Sequence, residues 1–208
     1  MGARLRVSKP PTRDRVPPPM RTIVLLALIA AASSGCHSPA NAPSAETSAT
    51  PEPVQPPGTR PTPYTAGQIA RCHPTGTFTE YRVTTPAETV DQRAEWVASD
   101  ALGCEMVATQ TRADGTTIGD EIRSVAEWWE LRNHAALPYD RSTVSEETIE
   151  VEAGRFDCWK YVTEQDGMTT AMWFDKASAG SPIQYVQSYG SNEVLRMELL
   201  ATNRLRLQ

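Results

Sequence analysis

The distribution of proline decides where this chain can fold. Thirteen of its 17 prolines precede residue 64. Proline lacks a backbone donor and fixes φ, so a stretch dense in it supports neither a helix interior nor a sheet ladder. Residues 37–63, HSPANAPSAETSATPEPVQPPGTRPTP, add Ala, Ser and Thr but almost no large apolar side chain. Such a composition cannot bury enough surface to offset ordering entropy, and it reads as a disordered tether. At about 3 Å per residue it reaches up to about 80 Å when extended. The fold is therefore expected in residues 64–208, a length suited to a single domain.

Upstream of the tether the sequence reads as an export address. Arg21 follows Met20, an apolar run covers residues 23–32, and Ser33, Ser34 and Gly35 lead to Cys36. These are the n-, h- and c-regions of a secretory signal. About ten apolar residues rise only about 15 Å as a helix, half of a hydrocarbon core of about 30 Å. The segment is thus too short for a stable anchor, and cleavage is expected. The run Ser34, Gly35, Cys36 resembles the lipobox of bacterial lipoproteins, departing from it at Ser33, where that family carries Leu, Val or Ile. The resemblance implies diacylglycerol on the Cys36 thiol and cleavage just before it. The alternatives are an ordinary cleaved signal beside a coincidental cysteine and an uncleaved anchor. Residues 1–19, basic and ending in three prolines, read as a long n-region or a misplaced start, with Met20 the favoured start.

Charge changes sign at the cleavage point. Residues 1–36 hold six basic residues and one acid, leaving 14 basic and 24 acidic residues, a net charge of −10. That charge argues against nucleic acid and against electrostatic binding to anionic lipid, so attachment falls to the lipid itself. His37 follows the cysteine where enteric inner-membrane lipoproteins carry aspartate, which favours the outer membrane.

The domain reads as short strands joined by turn residues, an α+β fold built on a curved antiparallel sheet with one main packing helix. Strands are predicted at 76–85, 90–99, 104–112, 116–119, 147–151, 155–163, 169–174, 183–189 and 193–202, with Ala94, Trp96 and Ala98 on one face. Asp114-Gly115 and Gln165-Asp166-Gly167 mark hairpin turns. Residues 65–72 predict at most a helical turn, closed by His73-Pro74. The main helix is predicted from a capping box at Ser124 and Glu127 to Pro138. Val125, Trp128, Trp129, Leu131, Ala135 and Ala136 form its apolar arc, and His134 faces solvent.

The string Ile149-Glu-Val-Glu-Ala-Gly-Arg-Phe-Asp-Cys-Trp-Lys-Tyr161, followed by Ala171-Met-Trp-Phe174 and Glu198-Leu-Leu200, resembles a pattern of uncharacterised envelope proteins related to the LolA and LolB half-barrels. It departs at Glu152, where the pattern prefers proline. The resemblance covers about sixty residues and implies a half-barrel-like sheet, with Gly154 at a tight turn and Trp173 filling a sheet face.

Candidate chemistry is sparse. Cys72, Cys104 and Cys158 form no C-x-x-C pair, so zinc and haem are not expected. In an oxidising envelope Cys104 and Cys158 are the expected disulfide, although Cys72 could pair with either and three buried thiols are the alternative. His73 beside Cys72 suggests a nucleophile pair only weakly, since adjacent residues rarely face each other. Asp120/Glu121 and Glu146/Glu147 read as solvated acids rather than a glycosidase pair. No phosphate loop, serine elbow or zinc motif occurs. No catalytic, cofactor-binding or metal residues are assigned and no cofactor is expected. Trp96, Trp128, Trp129, Trp159 and Trp173 read as core between helix and sheet, or alternatively as the lining of a hydrophobic cavity. The expected function is a non-enzymatic, membrane-tethered lipoprotein of the bacterial envelope, a structural or protein-interaction module. The alternative is a carrier of lipid or another hydrophobic ligand.

Overall fold

The computed structural model describes residues 54–207. The basic extension, the signal segment with Cys36, His37 and residues 38–53 of the expected tether lie outside the described residues.

One nine-stranded antiparallel sheet carries the fold: β1 (Phe78–Thr84), β2 (Thr89–Ser99), β3 (Gly103–Thr111), β4 (Ile122–Glu127), β5 (Ser142–Val151), β6 (Gly154–Gln165), β7 (Met168–Asp175), β8 (Gln184–Tyr189) and β9 (Asn192–Thr202). Their spatial order is β4-β3-β2-β1-β9-β8-β7-β6-β5. Two meanders thus meet where the first strand pairs with the last, Tyr81 opposite Leu199 and Val83 opposite Met197. Alternation drives the strands: in β2, Val90, Gln92, Ala94 and Trp96 are buried while the residues between them are not, the period of a half-buried strand. A bulge after Trp96 then turns Ala98 outward, so the expected Ala98 is not part of the buried row. The β6–β7 hairpin turns at Asp166 and Gly167, with φ of 52° and 78°, the left-handed pair that such a tight connection requires.

Two short helices cover one face of this sheet. Helix α1 (Ala66–Cys72) is more than the single turn expected. Thr65 Oγ1 accepts from Gln68 N, Gln68 Oε1 accepts from Thr65 N, and Pro74 prevents continuation. Helix α2 (Trp128–Asn133) is shorter than predicted. Residues 122–127 pair with β3 as a strand, Ser124 opposite Met106. The capping box therefore falls on Glu127 and Glu130 rather than on Ser124 and Glu127. Val125, expected on the buried arc, is 73% exposed on the outer face of β4, while Trp128 and Ala135 are buried and Leu131 packs at the margin of the core. The loop before β4 holds a lone bridge, Thr111 to Thr117, instead of the strand expected at 116–119.

Ile69 and Cys72 of α1, Trp128 of α2, Trp96 and Met106 of β2–β3, and Tyr161, Met172 and Phe174 of β6–β7 belong to one contiguous core. In a flat sheet β3 and β6 would lie about 29 Å apart, six steps of about 4.8 Å. Their shared core shows that the sheet curves around the helices. After β4 the chain passes through α2 and a 3-10 turn (Tyr139–Arg141) and reaches β5 at the opposite sheet edge.

Among the described residues, contacts with the fold begin before the expected boundary at Tyr64. Thr59 bridges to Pro138, Arg60 N donates to Leu137 O at 2.8 Å, and Tyr139 N donates to Gly58 O at 2.9 Å. The end of the expected tether is thus a strap bound along the segment that leads into β5.

Candidate functional site

Three clusters gather the chemistry-bearing residues. The first lies at the C-terminal end of α1. His73 is fully buried, its Nδ1 2.8 Å from Ile69 O and its ring 4.4 Å from Trp96. The Nε2 atom has no hydrogen-bond partner, and Arg204 Nε is likewise buried and unpartnered. Arg204 still donates through a guanidinium nitrogen to Ser181 O at 2.8 Å. Burial, and then the charge of Arg204, lower the His73 pKa to about 3, so the ring is neutral at pH 7. Cys72 is buried beside it, but the only hydrogen bond of the ring among the described residues goes to Ile69. The adjacent cysteine and histidine therefore form no nucleophile pair.

The cysteines are equally inert. Cys72, Cys104 and Cys158 are free and buried. Burial is the first cause that pushes the Cys104 and Cys158 thiols up to about 12, far from the thiolate state that reactivity needs. The expected Cys104–Cys158 disulfide is not formed. Cys104 sits on β3 on the helix-covered face and Cys158 on β6 on the opposite face, with five strands between them. A disulfide needs Cα atoms within about 7 Å and converging side chains. His134 is exposed, as expected.

The second cluster is built on β5, β6 and β7. Glu146 and Glu147 are consecutive strand residues and so point to opposite faces. Glu146 meets Lys176 at 2.8 Å, whose ammonium lies 5.9 Å from the Trp159 ring on the helix-covered face. Glu147 meets Lys160 at 2.8 Å and accepts from Trp173 Nε1 at 3.1 Å, with Lys160 4.7 Å above the Trp173 ring. The Lys160 and Trp173 hydrogen bonds hold the Glu147 carboxyl below its usual range. The two acids, expected as solvated charge, are thus ion-paired on an edge strand. A pair split across a sheet cannot flank one bond as glycosidase acids do. Each acid instead clamps an edge strand that has few apolar anchors of its own. Asp120 and Glu121 lie in the loop before β4, where Glu121 pairs with Arg123 at 2.9 Å.

The third cluster is the strap. Arg60 Nε donates to Ser142 O at 2.6 Å and to Ser142 Oγ at 2.9 Å, its guanidinium stacks 4.2 Å over the Tyr139 ring, and Tyr161 OH donates to Pro61 O at 2.9 Å. Beside it opens a cleft of about 460 Å³ lined by Gln55, Pro61, Thr62, Pro63, Gln68 and Arg132. The cleft is a surface feature. The aromatic interior is filled by its own contacts: Tyr64 packs edge-on against Trp159 and Phe174, each at 6.0 Å, and Tyr161 against Phe174 at 5.5 Å. Sequence reasoning missed Arg60 and Arg204. The signal for Arg60 is that it is the sole cation in residues 37–63. Among the described residues, no group of three or more His, Cys, Asp or Glu could hold a metal ion.

The fold and these clusters define a class, an open antiparallel sheet wrapped around two short helices, with two edges unpaired among the described residues and a strap at residues 58–60. No family model matches the chain, and no curated protein matches it. Among solved structures it is similar to an exported protein with a YmcC-like fold from Bacteroides fragilis NCTC 9343, at 12% identity and a TM-score of 0.39, over 63% of this chain and 98% of that one. It is also similar to MucB, solved in complex with MucA(peri), at 12% identity and a TM-score of 0.46, over 66% of this chain and 53% of that one. At this identity and these scores the likenesses assign the chain neither a family nor an activity.

Proposed function

We propose that this chain is a lipid-anchored protein of the bacterial envelope whose domain is a non-enzymatic protein-interaction module. The observation that carries the reading is the contrast between the two parts of the sheet. Its inner face is closed by α1, α2 and packed aromatics, whereas its edge strands β4 and β5 have no outer partner among the described residues. Recognition then falls to the outside of the fold. The signal-like residues 20–36 support export and Cys36 supports the anchor. No helix among the described residues is long and apolar enough to cross a membrane. Two or three acyl chains at about 0.8 kcal/mol per buried methylene hold even an acidic domain at a bilayer.

The test is palmitate labelling of the wild type and of Cys36→Ser. The expected result is label on the wild type only and release of the variant from the membrane fraction. Membrane association without label overturns the lipid anchor, and a soluble, unlabelled wild type indicates an ordinary secreted protein. Native mass spectrometry of the unlipidated chain is expected to show bare protein, while co-purified lipid would instead establish the carrier reading.

A further inference from the structure

We propose that the outer edge of β5 is a docking site for an extended, basic segment of a partner protein, which adds to the sheet as a tenth strand. This rests on the protein-interaction reading and gives it a surface and a partner chemistry.

Strand β5 runs ten residues at the end of the sheet, and its register with β6 is unbroken from Ser142 opposite Thr163 to Val151 opposite Gly154. Residues 143–148 are exposed on both faces. Proteins ordinarily blunt such an edge with proline, charge, a bulge or shortness. The β5 sequence, STVSEETIEV, has no proline, no bulge and full length; its only such device is the three glutamates, which oppose pairing with a like-charged strand, while Thr143, Val144, Thr148, Ile149 and Val151 favour further pairing. The opposite edge, β4, is only six residues long and carries Arg123. The ion pairs of Glu146 with Lys176 and of Glu147 with Lys160 hold β5 in place from both faces, so the edge is presented ready-made.

The strap shows that this side of the fold accepts an added segment. Residues 58–60 pair antiparallel with residues 137–139, just before β5, and the Arg60 guanidinium ends that pairing on Ser142 O. The edge left unpaired among the described residues begins where the strap stops.

Charge selects the occupant. Within β5 stand Glu146, Glu147 and Glu150 and no cation, and Glu150 has no ion pair among the described residues. Antiparallel pairing with a second copy would set these glutamates against one another, and like charges directly opposite are destabilising. A segment with cations on one face meets Glu146 and Glu150, which share a face of β5, and its β-branched residues on the other face meet Ile149. Main-chain hydrogen bonds supply affinity and the alternating side chains supply selectivity.

The probe is the peptide Lys-Val-Thr-Val-Lys-Val-Thr-Val-Lys added to the full processed chain in detergent, read by backbone hydrogen exchange and by binding. The expected result is exchange slowed at least about tenfold within residues 143–151. Binding is expected to weaken at least about tenfold when Glu replaces each Lys of the peptide, and to be lost when its alternate amides are N-methylated. Glu150→Lys, an exposed change that spares the fold, should weaken the basic peptide about threefold or more. Absence of protection on β5, protection on β4 instead, or equal binding of the acidic peptide overturns the proposal. Concentration-dependent self-association that protects β5 assigns the edge to a second copy and also overturns it. Any of these failures leaves the palmitate and mass-spectrometry results standing, so the interaction reading fails or survives separately.

Discussion

The imidazole of His73 lies directly against the backbone of Gly180, so close that a β-carbon there would stand 2.4 Å from His73 Cε1. The same β-carbon would lie 2.7 Å from an Arg204 guanidinium nitrogen, and Gly180 has φ of +141°. Gly180→Ala therefore combines backbone strain with overpacking of a buried ring, and the expected cost is about 3 kcal/mol or more. Gly190→Ala is the control: φ is +57° and nothing lies within 4 Å, so about 1 kcal/mol is expected. Urea midpoints of the two variants check the difference.

His73 also makes stability depend on pH. The folded state binds its proton only near pH 3, whereas the unfolded state binds it near the ordinary value of 6.5. Below pH 6.5 the unfolded chain thus holds more protons, and stability falls as pH falls. The expected loss approaches about tenfold in the folding constant per pH unit below 6.5, continuing toward pH 3. Between pH 6.5 and 5 the carboxylates stay ionised, which isolates the histidines. Denaturation of His73→Gln over this range should show a much shallower slope than the wild type, and an unchanged slope would assign the effect elsewhere.

Arg60 is expected to hold the strap. Arg60→Ala removes the bonds to Ser142 and the stacking on Tyr139, at a cost of about 1–2 kcal/mol locally. Limited proteolysis of the wild type should leave a core whose N-terminus lies before Gly58, and of the variant one that starts near Tyr64. Identical fragments would mean that the two backbone bonds to residues 137–139 suffice.

The phase of residues 122–133 can be checked by two truncations. Trp128 is 3% exposed and donates through Nε1 to Asp100 O at 2.9 Å, so Trp128→Ala should cost about 3–5 kcal/mol. Val125→Ala, on the outer face of β4, should stay within about 0.5 kcal/mol. A helix running from Ser124 would bury Val125 and make the second change costly as well.

That phase shows how a legible local signal can be outbid. Ser124-x-x-Glu127 fits the capping box and Glu127-x-x-Glu130 lacks its Ser or Thr, so the local signal favours a start at Ser124. The edge of β3 overrides it, by pairing with residues 122–127. The tether boundary moved for a similar reason. Prolines rule out a regular element over 54–63, but two backbone hydrogen bonds and one guanidinium suffice to fix the strap once residues 137–142 are in place. Cys104 and Cys158 were correctly read as strand residues, yet which faces and which halves of the sheet they occupy depends on strand order.

What the sequence by itself determined is what neighbouring residues settle among themselves. The alternation of β2, the left-handed turn at Asp166-Gly167 and the cap at Thr65 are of this kind. Tertiary structure alone decided that β1 joins β9, that Glu146 and Glu147 clamp an edge strand, and that His73, Gly180 and Arg204 meet. These partners lie from about ten to more than a hundred residues apart and leave no periodic trace in the chain. Their contacts exist only after the sheet has curved around its two helices, because that curvature converts distance along the sequence into proximity.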